Sequence, residues 1–295
     1  MEKNKNNQGF SVIVPCFNEN NSLPKAIYDL ILLIGDKEDW ELIVVDDGSS
    51  DGSTEKLRQL QADIPRMHLR SHQVNRGYGA SLKTGIQGAK FNKIVITDAD
   101  GTYPNERIPE LAGLVGEFDM VIGARTSDNV TYSKIRAIPK VFLTAYASWI
   151  AGQKIPDINS GLRAFRKDLI EKFIPLLSNK FSFTITSTLA FLTNDCNVHY
   201  EPIDYFARTG KSKIKPVKDT LRFVQLITRM GMYFAPLRVL SPFILVLTLA
   251  FLLSAAYDVI WLNDITDKTL MLLLSTMNTT FFALLADMIE KRSVN

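Results

Sequence analysis

Cys16 and Cys196 are the chain's two cysteines in 295 residues, and neither stands in a CxxC or at a histidine-matched spacing. That excludes a disulfide framework and a thiolate metal site, so both thiols are expected to be inert packing residues. Histidine is nearly as scarce: His68, His72 and His199 lack metal-ligand spacing, and no role is assigned to them. A net charge of +3 is too small for a nucleic-acid surface, and the basic residues gather near the apolar C-terminal part, which suits anionic lipid heads better. Glycine is missing where two common nucleotide loops need it. Gly210-Lys211-Ser212 has Tyr205 where a P-loop requires glycine. The loop after the first apolar run contains Pro15 and no glycine, and Gly77-Tyr78-Gly79 meets Leu82 where a dinucleotide fingerprint wants its third.

Long apolar runs are confined to the C-terminus. Val239 to Tyr257 is 19 residues without a charge, and Thr269 to Ala286 another 18. At about 1.5 Å per helical residue these cover roughly 27–29 Å, close to a hydrocarbon core of about 30 Å. A pair of buried core helices is the competing reading, but a helix apolar all round suits lipid better in a chain of this size. Two spans are therefore expected at about 237–257 and 269–288, forming a transmembrane hairpin within 236–295. Arg222, Arg229 and Arg238 precede the first span and Lys291 and Arg292 follow the second, while the linker carries Asp264 and Asp267. The positive-inside rule then puts both termini in the cytoplasm. Residues 1–9 are polar and the run Phe10 to Cys16 is too short for a secretory signal, so none is expected. In the second span Ser275, Thr276, Asn278, Thr279 and Thr280 either pair helices across a homo-oligomer or back-bond within their own helix.

Residues 1–235 read as one cytosolic α/β domain. Phe10 to Val14, Glu41 to Val45, Met67 to Arg70, Lys93 to Thr97 and Asp119 to Ile122 are expected strands, alternating with helical stretches such as Leu23 to Ile34 and Tyr78 to Ala89. This alternation predicts a Rossmann-like, mostly parallel sheet with helices on both faces, whose ligands sit beyond the strand C-termini. Polar clusters follow the expected strands: Pro15 to Glu19, Asp46 to Ser49, Asn75 to Gly79, and Asp98-Ala99-Asp100 beside the Asp47 loop. Amphipathic segments near 132–153 and 214–234 are expected to lie on the membrane surface.

Asp98 and Asp100 end an apolar strand, and two hard oxygen ligands one residue apart suit Mg2+ or Mn2+ on a diphosphate. Alone, the pair reads more readily as a solvated turn or helix cap ahead of Pro104. Asp47 sits in a second acidic turn, where a carboxylate accepts from a ribose hydroxyl or base N–H, or merely feeds a cap at Asp51 or Ser53.

The ordered set V-P-C-F-N-E, V-V-D-D-G-S-S-D-G, N-R-G-Y-G-A-S, D-A-D, G-A-R, Asp157 to Arg166 and R-T-G-K-S-K resembles glycosyltransferase family 2 with the GT-A fold. Within it, the chain is similar to the dolichol-phosphate mannose synthase-like and bactoprenol glycosyltransferase-like branch, over about residues 10–215 and in its two-span tail. The resemblance implies that Pro15, Phe17 and Glu19 line a nucleotide pocket, that Asp47 holds base or ribose, and that Asp98 and Asp100 face metal and donor diphosphate. It further implies that Arg125 and Arg136 grip an acceptor phosphate, and that Arg208 and Lys213 neutralise the leaving diphosphate, with Asp100 and Arg208 as catalytic residues. The implied reaction is inverting transfer of a hexose-type sugar from a UDP- or GDP-sugar to a polyprenyl phosphate, undecaprenyl or dolichyl. A lipid phosphate is largely ionised near neutrality, so no base is required.

Two departures from the branch stand out. Phe183 to Thr188 presents hydroxyls where many relatives with hydroxyl acceptors carry a carboxylate base, which agrees with a phosphate acceptor, with an acidic residue placed elsewhere, or with helix capping by Thr186 and Ser187. Gly101-Thr102-Tyr103-Pro104 lacks the Gln often found after the D-x-D. Alternative readings are a family 2 transferase acting on a glycolipid or polysaccharide hydroxyl, and a non-catalytic membrane-anchored nucleotide-sugar-binding protein. A polysaccharide synthase would show Q-x-x-R-W, which none of Trp40, Trp149 or Trp261 completes.

Overall fold

The β-branched runs of the N-terminal half pair side by side, and their burial on both faces explains why they carry almost no polar alternation. The structure, a computed structural model, describes residues 9–20, 23–35, 39–98, 100–127, 134–180, 182–206 and 216–293, with the backbone alone at 134–140, 216–219 and 292–293. Strands β1 (Phe10–Cys16), β2 (Trp40–Asp46), β3 (Met67–Ser71), β4 (Lys93–Ile96), β5 (Met120–Ala124), β6 (Arg163–Arg166) and β7 (Val198–Pro202) form one sheet. Its order is β3-β2-β1-β4-β6-β5-β7. Only β6 runs against its neighbours β4 and β5; the other pairings are parallel.

Helices cover both faces. On one, α1 (Leu23–Ile34), α2 (Ser53–Asp63) and α4 (Ile108–Leu114) bury Ile27, Leu30, Leu57, Leu60, Ile108 and Leu111. On the other, α3 (Tyr78–Gly88), α5 (Lys134–Ala151), α6 (Lys167–Phe173), α7 (Phe183–Thr193) and α8 (Pro216–Phe234) build a second core. The five expected strands are all present, and β1 and β2 run on to Cys16 and Asp46. Pro15 thus lies inside β1, opposite Val45, instead of in the loop beyond it. β6 and β7 carried no long apolar run: one has four residues, and the other is a half-exposed edge. The parallel neighbours β1, β2, β3 and β4 do bring their polar loops to one edge, although β1 separates the Asp98 loop from the Asp47 loop.

The amphipathic segments are only partly surface helices. α5 sends Leu143, Ala147 and Ile150 into the core, while the exposed Phe142 and Trp149 stack on Tyr146 at centroid distances of 6.4 and 6.2 Å, and Tyr146 packs against the core and meets Thr228 Oγ1 at 2.8 Å. α8 buries Ile227, Met230 and Phe234 and leaves Leu221 and Tyr233 exposed. After Ala235 the chain enters α9 (Pro236–Tyr257), turns through a π-type stretch at Asp258–Leu262, and returns as α10 (Asp267–Ser293).

Two helical stretches, Pro236–Leu262 and Asp267–Lys291, are long and apolar enough to cross a membrane, and only 11% of each apolar window is buried within the protein. So little burial disfavours the core-helix reading. Asp258 closes the hairpin, accepting from the Thr266 amide at 2.8 Å and from the Thr266 and Thr269 hydroxyls at 2.6 and 2.7 Å. Ser275, Thr276, Thr279 and Thr280 each donate to the carbonyl four residues back at 2.7–2.8 Å, so these hydroxyls are satisfied within their own helix.

Candidate active site

The loops after β1 and β2 are stitched into one surface. The Asn18 amide donates to Ser49 Oγ at 2.9 Å, the Ser50 amide to Asn18 Oδ1 at 2.8 Å, and the Glu19 amide to Ser53 Oγ at 3.1 Å. Asp51 accepts from Ser53 and from the Asn20 amide, so it organises the start of α2 and the β1 loop together. Phe17 and Glu19, expected to line a nucleotide pocket, are half-buried on this surface. Of the paired acids, Asp46 is consumed locally by Ser49 and Thr54.

Asp47 reaches the next loop. Its Oδ1 accepts from the Arg76 amide at 2.9 Å and its Oδ2 from the Gly77 amide at 2.7 Å, while His72 Nδ1 lies 2.7 Å from Oδ1. His72 Nε2 is held in turn by Thr84 Oγ1 at 2.9 Å. Asp47, expected to hold base or ribose, is buried and organises the loop between β3 and α3. No spacing in the sequence announces His72, because its partner is 25 residues away. Gly77 is required there: its φ is +103°, and a Cβ would sit 2.6 Å from the Asn179 carbonyl oxygen.

Asp98 and Asp100 stand at the end of β4. Tyr78 Oη donates to Asp98 Oδ1 at 3.0 Å, and Asp100 Oδ1 accepts from the Thr102 amide and hydroxyl at 3.2 and 2.6 Å. Asp98 Oδ2 lies against Gly161, where a Cβ would come within 2.8 Å. The Gly161 amide donates to Tyr103 Oη at 2.6 Å, and the Tyr103 ring meets Tyr205 edge-on at 5.3 Å. Arg125 lies over the other side of that assembly, its guanidinium carbon 5.1 Å from the Tyr205 ring centre, in a two-point pair with Asp157. Burial pushes the Tyr103 phenol well up, with Arg125 pulling it down and Asp98 pushing it further up. A carboxylate and a cation thus flank one tyrosine. Beside Asp98 a cleft of about 230 Å³ opens between α1, at Ala26, Leu30 and Leu33, and the segment bearing Tyr103 and Asn105.

The hydroxyls of α7 have a structural partner. Arg163 is fully buried, and its guanidinium donates to Ser160 O, Thr184 O, Ser187 Oγ and Thr188 Oγ1 at 2.6–3.1 Å. Burial lowers its pKa. Thr186 instead bonds back to Ser182 O and Phe183 O and accepts from the Ser178 amide. Arg136 has only its backbone described, within α5, and Arg208 and Lys213 lie outside the described residues. Ahead of Arg208 in the chain, the Phe206 amide donates to Thr102 O at 3.0 Å, and the amide and hydroxyl of the same Thr102 hold Asp100.

The model for glycosyl transferase family 2 matches residues 11–174. The chain belongs to glycosyl transferase family 2. The undecaprenyl-phosphate 4-deoxy-4-formamido-L-arabinose transferase of Yersinia pestis is 30% identical over 244 residues, covering 78% of this chain and 69% of that protein. The protein of the same description from Proteus mirabilis is 33% identical over 184 residues, covering 58% of this chain and 56% of its own length. The matched stretch therefore spans little more than half of that family 2 relative. Glucosyl-3-phosphoglycerate synthase from Mycobacterium tuberculosis, solved with Mn2+, UDP and phosphoglyceric acid, superposes with a TM-score of 0.56 at 17% identity, covering 76% of this chain and 78% of that one. At that identity the likeness is one of fold, and the fold is GT-A.

Proposed function

We propose that this family 2 protein transfers a hexose-type sugar from a nucleoside diphosphate sugar to polyprenyl phosphate, with inversion at the anomeric carbon. The observation that carries the reading is that Asp98, against Gly161, and Arg125, over the Tyr205 ring, both lie beside the Tyr103–Tyr205 pair at the C-terminal edge of the sheet. An anionic pair suited to a metal diphosphate and a fixed cation suited to a second phosphate share one site. The undecaprenyl-phosphate transferase description of the relatives, and the apolar hairpin joined to the domain through α8, support a lipid phosphate as the second substrate.

Asp98 and Asp100 fit Mg2+ or Mn2+: both are hard oxygen donors half-open to solvent, and such ions take one or two carboxylates together with phosphate oxygens and water. Among the described residues no third His, Cys, Asp or Glu joins them. The metal would supply charge neutralisation on the donor diphosphate. The loops carrying Phe17, Glu19 and Asp47 would hold the nucleotide, and Arg125, with Arg136, would orient the lipid phosphate. An oxygen of that phosphate forms the new bond to the anomeric carbon as the bond to the diphosphate breaks. The nucleoside diphosphate leaves towards Arg208 and Lys213. No proton has to be removed, which agrees with α7 offering hydroxyls bound to Arg163 and no carboxylate.

The hairpin at about 237–257 and 269–288 would cross the membrane with the catalytic domain and both termini in the cytoplasm. The outer faces of α5 and α8, with Phe142, Trp149, Leu221 and Tyr233, would rest in the lipid interface. The test is incubation of membranes containing the protein with labelled UDP- and GDP-sugars plus undecaprenyl or dolichyl phosphate, followed by extraction. A labelled, mild-acid-sensitive lipid is the expected product. Label appearing only in polysaccharide or glycolipid would replace the phosphate acceptor with a hydroxyl one.

A further inference from the structure

The residue between Gly77 and Gly79 has no part in the reading above, yet its side chain crosses to Asp98. The Asp47 carboxylate holds the amides of Arg76 and Gly77, and the Ala80 amide donates to Asn179 O at 2.9 Å, so the first turn of α3 is fixed from both sides. That turn delivers the Tyr78 hydroxyl to Asp98 Oδ1 at 3.0 Å. Across the carboxylate, Oδ2 lies against the backbone at Gly161, where any side chain would intrude. An ionised carboxylate accepts and cannot donate, so the phenol is the donor in this contact.

We infer that Tyr78 is the positioning residue for Asp98, orienting its carboxylate for the divalent cation of the donor site; this rests on the metal-diphosphate reading of Asp98 and Asp100. Partners of ligating carboxylates fix orientation before the ion arrives, and losing one typically costs about 10–100-fold in metal affinity. The same bond links the Asp47 loop to the D-x-D across the intervening β1. The Asp47-side loop and the Asp98 carboxylate are therefore held by one turn.

The test is Mn2+ binding, followed by the EPR signal of free Mn2+, to the full chain in detergent with saturating UDP, and with GDP as a second probe. Wild type, Tyr78→Phe and Asp98→Asn are compared. In Tyr78→Phe the Mn2+ Kd is expected to rise about 10-fold, with metal-free UDP affinity unchanged and kcat restored by excess Mn2+. The Kd is a property of the folded fraction, so it is read even if the variant is less stable. An unchanged Mn2+ Kd in Tyr78→Phe beside a lost one in Asp98→Asn overturns the assignment of Tyr78. An unchanged Kd in both variants overturns the metal reading of Asp98 and the inference with it.

Discussion

Arg125 and Asp157 meet in a two-point ion pair, Nε to Oδ2 at 2.7 Å and Nη2 to Oδ1 at 2.9 Å, with the Arg125 amide also on Oδ2 at 3.2 Å. The acid's side chain is 1% exposed and the arginine's 11%, so the pair orients a cation at the rim of the site while its acid stays inside. Removing the acid while leaving the cation breaks a mostly desolvated pair. Asp157→Asn is expected to lower stability by about 2 kcal/mol, below the usual range for a buried pair because Arg125 keeps some water. Urea unfolding in detergent measures it, alongside a raised KM for the lipid phosphate.

Arg125→Ala should act on the acceptor. The KM for polyprenyl phosphate is expected to rise at least 10-fold, with nucleotide affinity nearly unchanged. Weaker UDP binding with unaltered acceptor use would reverse the two phosphate sites.

Asp100→Ala should abolish metal-dependent transfer without unfolding the protein, because the contacts of Asp100 to Thr102 are local. Circular dichroism checks the fold and the lipid-extraction assay the activity. Full activity in this variant would remove the metal hypothesis. Chelation by EDTA should likewise stop the wild-type protein, and added Mg2+ or Mn2+ should restore it.

Arg163→Lys is expected to destabilise the domain by about 2–4 kcal/mol, since an ammonium cannot replace the fork that reaches Ser160 O and the α7 hydroxyls together. Arg163→Met, which leaves no buried charge, should be less damaging than the lysine variant. Thermal unfolding orders the two; the reverse order would show that the charge itself is needed.

Neither cysteine should react with N-ethylmaleimide at pH 7.5 until the protein unfolds. Burial, then the charges of Asp46, Glu19 and Asp51, pushes the Cys16 thiol up to about 12, and burial pushes Cys196 up to about 11. The reactive thiolate is then scarce on both. Mass spectrometry of labelled native and denatured protein decides this, and fast native labelling of either would refute the packing role.

Much of this was legible in one dimension because the forces involved are local or periodic. The mainly apolar runs at Phe10 to Val14 and Glu41 to Val45, broken only by Ser11 and Glu41, match buried parallel strands flanked by helices, and they bring their polar loops to one edge. The charge-free C-terminal runs match two membrane-length helices for the same reason. The strands β6 and β7 were not legible, because a four-residue strand and a half-exposed edge strand owe their conformation to neighbours distant in sequence.

The order of apolar and polar stretches thus determined the layered α/β architecture, the edge that gathers the polar loops and the C-terminal hairpin, since burial follows periodicity. Only the tertiary structure decided which side chains answer one another. Asp47 is committed to His72, Arg76 and Gly77, and Tyr78 reaches Asp98. Arg125 is aimed by Asp157, and the α7 hydroxyls serve Arg163. These are hydrogen bonds and ion pairs between residues 20 to 32 positions apart or held across two elements, and such pairs leave no spacing in the chain. They are specified by the crossing of strands and the packing of helices that bring the groups within 3 Å or so, where a polar contact is worth making.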